Sequence, residues 1–128
     1  MSIRGIGCDL ASHARLLRVY DRHGARFLER AYHVREAQYA GGLPRHLLGG
    51  FLSSRWAAKE AVHKALGNKR LLFPDIEVVR GNGNGPPSLA LHNDAALILK
   101  GEGLELLLTL SHEEGMSMAF VVACKQMS

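Results

Sequence analysis

Glu60 and Lys64 stand four residues apart in the run Arg55-Trp56-Ala57-Ala58-Lys59-Glu60-Ala61-Val62-His63-Lys64-Ala65-Leu66-Gly67. On a helix that spacing sets a carboxylate and an ammonium one turn apart on a shared face, where they can act together. Taken alone, such a pair is ordinarily a solvated ion pair worth about 0.5 kcal/mol or less. Asp9 offers a second carboxylate, at the end of an apolar run; with Ser12 just downstream, its plain reading is a cap or turn residue. Ser111-His112 invites a nucleophile and base, but a hydrolase needs a third orienting group and a Gly-x-Ser-x-Gly elbow, and the chain has no such elbow. Arg55 is the odd one. Its helical direction falls among apolar residues, where a guanidinium needs an anionic partner or a route to water.

These residues need elements to hold them. Residues 44 to 67 read as one amphipathic helix, with proline in the first turn and glycine at the end. At 100° per residue, Leu48, Phe51, Ala58, Ala61, Val62, Ala65 and Leu66 share one arc, which predicts the core face. Glu60 and Lys64 fall opposite it. Ile3 to Leu10 reads as a first strand, with Gly5 and Gly7 permitting close backbone approach and Asp9 delivered at its end. Ser12 to His23 reads as a helix capped by Ser12 and stopped by Gly24. A further helical segment runs from about Val34 to Ala40 before Gly41-Gly42. Asp75 to Val79 alternates like a strand, the turn Gly81-Asn82-Gly83-Asn84-Gly85-Pro86-Pro87 follows, and Ser88 to His92 returns as its partner. Asn93 is read as capping a helix through Lys100, closed by Gly101. Leu104 to Leu110 and Met116 to Lys125 form a last hairpin around residues 111–115. The order predicts an α+β fold, mostly antiparallel strands packed with one long central helix.

The 128 residues suit one domain, residues 1–128, and the 47% apolar and 22% charged composition is ordinary for a soluble globular protein. No apolar run is long enough to span a bilayer. The start, Ile3-Arg4-Gly5-Ile6-Gly7, has no charged lead and apolar signal core, so the expectation is a cytoplasmic protein, or one inside an organelle if a presequence has been removed. Cys8 and Cys124 read as small buried thiols in a reducing compartment. The net charge of +4 is concentrated: within the first 35 residues seven arginines oppose Asp9, Asp21 and Glu29, and the remainder cancels. Arg15, Arg18 and Arg22 recur at three and four, giving a one-sign stripe that should meet an acidic partner, with Arg26 just beyond. Aromatic residues for base stacking are too sparse for a single-stranded nucleic acid.

The string Arg55 to Gly67 resembles the signature helix of the holo-acyl-carrier-protein synthase type of 4′-phosphopantetheinyl transferase. Gly5-Ile6-Gly7-Cys8-Asp9-Leu10 resembles that family's opening Gly-Ile-Gly-x-Asp-Ile/Leu. Asp75-Ile76-Glu77-Val78 with Gly85-Pro86, and Leu110-Ser111-His112-Glu113 with Met118 to Val122, resemble its middle and closing hairpins. The likeness covers nearly the whole chain, in the family's order. It implies transfer of the 4′-phosphopantetheine arm of coenzyme A to a serine of an apo acyl carrier protein, with release of 3′,5′-ADP.

The resemblance also implies roles. Asp9 and Glu60 would hold Mg²⁺, a hard cation that takes oxygen ligands and keeps several waters. Lys64 would reach the phosphate and stabilise or protonate the leaving group. The serine proton would go to a metal-associated water or to a carboxylate. Arg55 and His112 match positions that contact the 3′-phosphate of the coenzyme, and Arg45 and His46 are weaker candidates for it. Gly67 and Ser111 complete the coenzyme-binding set, and Arg15, Arg18, Arg22 and Arg26 would dock the carrier protein. Family members of this length are homotrimers with the site between subunits. Two features depart from the pattern: Asn68-Lys69-Arg70 replaces the usual Thr-Gly after Gly67, and Trp56 stands for phenylalanine. Lys69 and Arg70 either supply compensating charge for the nucleotide or are merely exposed. A rival from another class is a non-catalytic basic module that binds an acidic protein and needs neither Glu60 nor Mg²⁺.

Overall fold

The computed structural model describes residues 2–126. Strand β1, Ile3–Ser12, leads into helices α1, His13–His23, α2, Ala25–Ala31, and α3, Val34–Gly41. The long helix α4, Arg45–Ala65, follows, and a short 3₁₀ turn over Phe73–Asp75 precedes β2, Ile76–Val79, and β3, Ser88–Leu91. Helix α5, Asn93–Glu102, and the strands β4, Leu104–Glu113, and β5, Met116–Lys125, close the chain. Strands β1, β5 and β4 form one sheet in that order and β2 pairs with β3; every one of these pairings is antiparallel. This is the α+β arrangement with one long central helix that the pattern of elements predicts.

Helix α4 lies across one face of the larger sheet. All seven residues of the predicted apolar arc are buried, and Leu52 and Ala57 join them. Opposite stand Ala119, Val121 and Ala123 of β5, each with no exposed surface. Alanines on both surfaces let helix and sheet approach closely, so the burial of many small groups replaces a few large ones. Gly5 and Gly7 carry that approach to its limit: a Cβ on Gly5 would collide with the Ala65 carbonyl, and one on Gly7 with the Ala61 carbonyl.

Several sequence expectations need correction. Residues 25–31 form α2, which the alternating charge of Arg26 to Arg30 concealed; Leu28 and Ala31 are its buried pair. Asn93 is not a cap. It begins α5 with φ 54° while its amide donates to Asp75 Oδ1 (2.9 Å), and the helix ends at Gly103 rather than Gly101. β4 continues through Ser111, His112 and Glu113, so the hairpin turn is only Glu114-Gly115, both at positive φ as a two-residue turn requires. Cys8 is exposed, because alternation along β1 sends its side chain to the face opposite α4; only Cys124 is buried.

One buried residue belongs to no apolar pattern. Lys59 has no exposed surface, and its ammonium donates to Glu36 Oε1 (2.7 Å), to the Phe73 carbonyl (3.1 Å) and to the Ile76 carbonyl. Glu36 in turn accepts from the backbone N–H groups of His33 and Val78, at 2.9 Å each. One ion pair thereby ties α3, α4 and β2 together.

Candidate active site

The sequence-predicted residues fall into two groups, held on different sides of α4. The first group forms where β1 crosses the helix. Because Gly7 rests directly on α4, Asp9, two residues on, comes level with Lys64. Lys64 Nζ donates to the Cys8 carbonyl (2.9 Å) and to Asp9 Oδ1 (3.2 Å), with about half of the lysine side chain exposed. Glu60, one turn before it, is half-buried and forms no ion pair among the described residues. The group offers two carboxylates and one mobile ammonium, a donor set that suits a hard divalent cation. Mg²⁺ commonly takes only one or two protein carboxylates and fills its shell from substrate phosphate and water.

The second group lines a cavity of about 490 Å³ between the N-terminal half of α4 and the end of the β4–β5 hairpin. Arg55, His46, Ser111 and His112 all reach it, and among the described residues no aspartate or glutamate does. The Arg55 guanidinium lies over the Phe51 ring (4.4 Å to the centroid) and donates to Ser54 Oγ (3.0 Å), while its buried Nε has no partner. Burial pushes its pKa below the ordinary arginine range, with the charge of Arg80 acting in the same direction. The charge of Glu36 opposes that shift, but a guanidinium so placed still leaves one buried N–H short of an acceptor. His13, which the sequence reading did not single out, bonds Ser117 Oγ (3.0 Å), and Ser117 bonds Ser53 (2.8 Å), fixing the cavity floor.

Ser111 and His112 are consecutive on β4, so their side chains leave opposite faces of the strand. Ser111 sits opposite Met118 and His112 opposite Ser117. That geometry disposes of a serine–histidine dyad.

Other candidates lie elsewhere. Arg45 is engaged by Asp21 of α1 through a two-armed bond of 2.8 and 2.6 Å. Gly67 sits just past α4 at φ 73° and does not line the cavity. Lys69 is paired with Glu102 at 2.7 Å, which leaves Arg70 as the exposed charge of the departing segment. Arg15, Arg18 and Arg22 are exposed on α1, with Arg15 5.8 Å from the Trp56 ring, while Arg26 lies on α2 beyond the break at Gly24.

A third polar centre has metal-ligating types but is filled from within. His33, Glu77 and His92 gather their ligand atoms within 4.8 Å, the one such group of three or more among the described residues. Both oxygens of Glu77 are already taken, by Arg35 at 2.8 and 2.6 Å and by His92 at 2.9 Å.

Two kinds of likeness bear on this arrangement. A family model described as the 4′-phosphopantetheinyl transferase superfamily matches residues 5–116. The holo-acyl-carrier-protein synthases of Alkalilimnicola ehrlichii and Halothermothrix orenii are 39% and 37% identical over 126 and 123 residues, each covering 94% of this chain and 95% and 96% of their own. Among solved structures, the Neisseria meningitidis synthase superposes with a TM-score of 0.86 at 30% identity, covering 96% of this chain and 99% of that one. The Bacillus anthracis synthase, in complex with coenzyme A (3′,5′-ADP), gives 0.80 at 31%, covering 98% and 100%. The chain belongs to the 4′-phosphopantetheinyl transferase superfamily and, within it, to the holo-acyl-carrier-protein synthases.

Proposed function

We propose that this chain, as a single domain, moves the 4′-phosphopantetheine arm of coenzyme A onto a serine hydroxyl of an apo acyl carrier protein, releasing 3′,5′-ADP. The observation that carries the reading is the pairing, on one helix, of an acid-free cavity around Arg55 with a carboxylate–lysine group at Asp9, Glu60 and Lys64. In such a reaction the serine oxygen bonds to the phosphorus that bears pantetheine, while that phosphorus loses its bond to the bridging oxygen. The protein's work is alignment and neutralisation of charge. Asp9 and Glu60 would hold Mg²⁺, which when bound neutralises charge on the pyrophosphate. Lys64 turns from Asp9 to the leaving phosphate oxygen, and its ammonium stabilises or protonates it. Arg55 and His112 hold the 3′-phosphate, which answers the unpartnered Nε of Arg55.

The two groups cannot serve one coenzyme molecule within one chain. Arg55 and Lys64 are nine residues apart, which places them about 180° around α4 and roughly 13 Å along it. The outer face of the larger sheet supplies a reason for a second copy: Ile6 (59% exposed), Leu10 (61%), Leu107 (51%) and Met118 (38%) form an apolar surface with no cover. Burying it in a homotrimer would bring the Asp9 group of one subunit toward the Arg55 cavity of the next. The stripe of Arg15, Arg18 and Arg22 then faces outward to receive an acidic carrier protein.

Protein, coenzyme A, Mg²⁺ and apo carrier are mixed and the carrier is weighed. A phosphopantetheine adduct that disappears on chelation is the expected result. An unmodified carrier that nonetheless binds the protein would favour the non-catalytic module.

A further inference from the structure

We propose that Arg80 is a second phosphate-binding residue, forming with Arg55 a two-guanidinium clamp for the dianionic phosphate monoester of the nucleotide. The proposal rests on the coenzyme reading above and deepens it.

Arg80 follows β2 and borders the same cavity as Arg55. Its guanidinium lies 4.5 Å from the Tyr39 ring centroid, as that of Arg55 lies 4.4 Å from Phe51. The two rings are themselves in contact, at 5.1 Å between centroids and 37° between planes. Two cations are therefore seated side by side on one aromatic platform. Like charges held so close repel unless an anion intervenes. Among the described residues the only such anion acting on Arg55 is Glu36, from beyond ion-pair distance. Among the described residues neither arginine has an ion-pair partner, whereas Arg35 and Arg45 each take a carboxylate with two nitrogens. The nearby acids are already committed, Glu36 to Lys59 and Glu77 to Arg35 and His92.

The position of Arg80 is not left to chance. The next residue, Gly81, is where the β2–β3 connection closes on itself, since a Cβ there would collide with the carbonyl oxygens of Gly85 and Pro86. That closure anchors the backbone of Arg80 at the cavity edge. Guanidinium forks match phosphate oxygens in geometry, and two of them match two charges. Coenzyme A carries one phosphate monoester, at the 3′ position; each phosphorus of its pyrophosphate carries only one charge. The clamp therefore selects the monoester.

The test uses coenzyme A and 3′-dephospho-coenzyme A, which differ only in that monoester, titrated calorimetrically into the full-length protein and its Arg80→Gln, Arg80→Lys and Arg55→Gln variants. Arg80→Gln is expected to weaken coenzyme A roughly tenfold or more and dephospho-coenzyme A less than twofold, the scale of losing a charge-assisted bond. Arg80→Lys should recover part of the loss. Dephospho-coenzyme A serves as the folding control, because a misfolded variant would lose both ligands. An equal loss for both nucleotides, or none for either, overturns the assignment. If the wild-type protein binds the two equally, the Arg55 role fails with it. If Arg55→Gln abolishes the preference and Arg80→Gln leaves it intact, only the Arg80 proposal falls.

Discussion

Lys59 and Lys64 are five residues apart on α4 and are used in opposite ways. Lys59 has no exposed surface and every proton of its ammonium has an acceptor. Lys64 is half-exposed and holds Asp9 by a bond of 3.2 Å. The same contrast separates the arginines: Arg35 and Arg45 are saturated by carboxylates, while Arg55 leaves a buried Nε unpaired. Saturated charges hold elements together, and spare charges are available to a ligand. Burial alone does not distinguish them, since Lys59 and the Nε of Arg55 are both out of solvent; the count of satisfied partners does.

The largest expected effect falls on the saturated member. Lys59→Ala leaves Glu36 charged and buried, which should cost about 3–5 kcal/mol of stability. Denaturant unfolding measures it, and a variant within 1 kcal/mol of wild type, on the scale of an exposed pair, would erase the contrast. At the spare member the loss should be in rate. Glu60→Gln should keep the fold and lose at least ~100-fold in turnover, and Lys64→Ala should lower kcat more than it raises KM for coenzyme A. A Lys64→Ala enzyme whose defect is confined to KM would make that lysine a binding group only.

Glu77 sharpens the comparison from the saturated side. The Arg35 bond, with help from His92, holds its carboxyl at about 2, below its ordinary value of 4.5. A depressed carboxylate contributes stability above its unfolded pKa and loses it as pH falls through the folded one, here from about 4.5 toward 2. Glu77→Gln should therefore flatten that stretch of the stability curve by up to about 3 kcal/mol. Parallel acid curves for the two proteins would show that the centre contributes nothing net. The smallest effect is on the outer surface. Reversing Arg15 and Arg22 to glutamate should raise KM for the carrier roughly tenfold, about 1.4 kcal/mol, and flatten the salt dependence of the rate. Saturation curves at two ionic strengths check it; a change confined to the coenzyme curve would move the stripe from docking to the nucleotide site or the subunit interface.

Most elements were legible because their signals are local. The 3.6-residue recurrence of Leu48 through Leu66, the breaks at Gly24 and Gly41-Gly42, and the alternation in β2 and β5 each depend on neighbours within a turn or two. Helix α2 was missed for the same reason. Seven residues with an arginine one position inside each end and two buried side chains give too short a period to read. Asn93 was misassigned because its amide finds Asp75, eighteen positions away, instead of its own helix.

The residue types of the site, their place on helix or strand, the family, and the segment that carries the excess charge are all legible in the sequence. Its spacing also put Glu60 and Lys64 on one face and Arg55 on another, since rotation around a helix is arithmetic. Which charges are spent and which are free depends instead on tertiary contacts. Nothing in the spacing of Lys59 tells it from Lys64, and nothing local marks Arg80, which meets Arg55 only because the hairpin after β2 folds back over Tyr39 and Phe51. Partner counts are set by contacts between distant segments, and those exist only once the chain has folded.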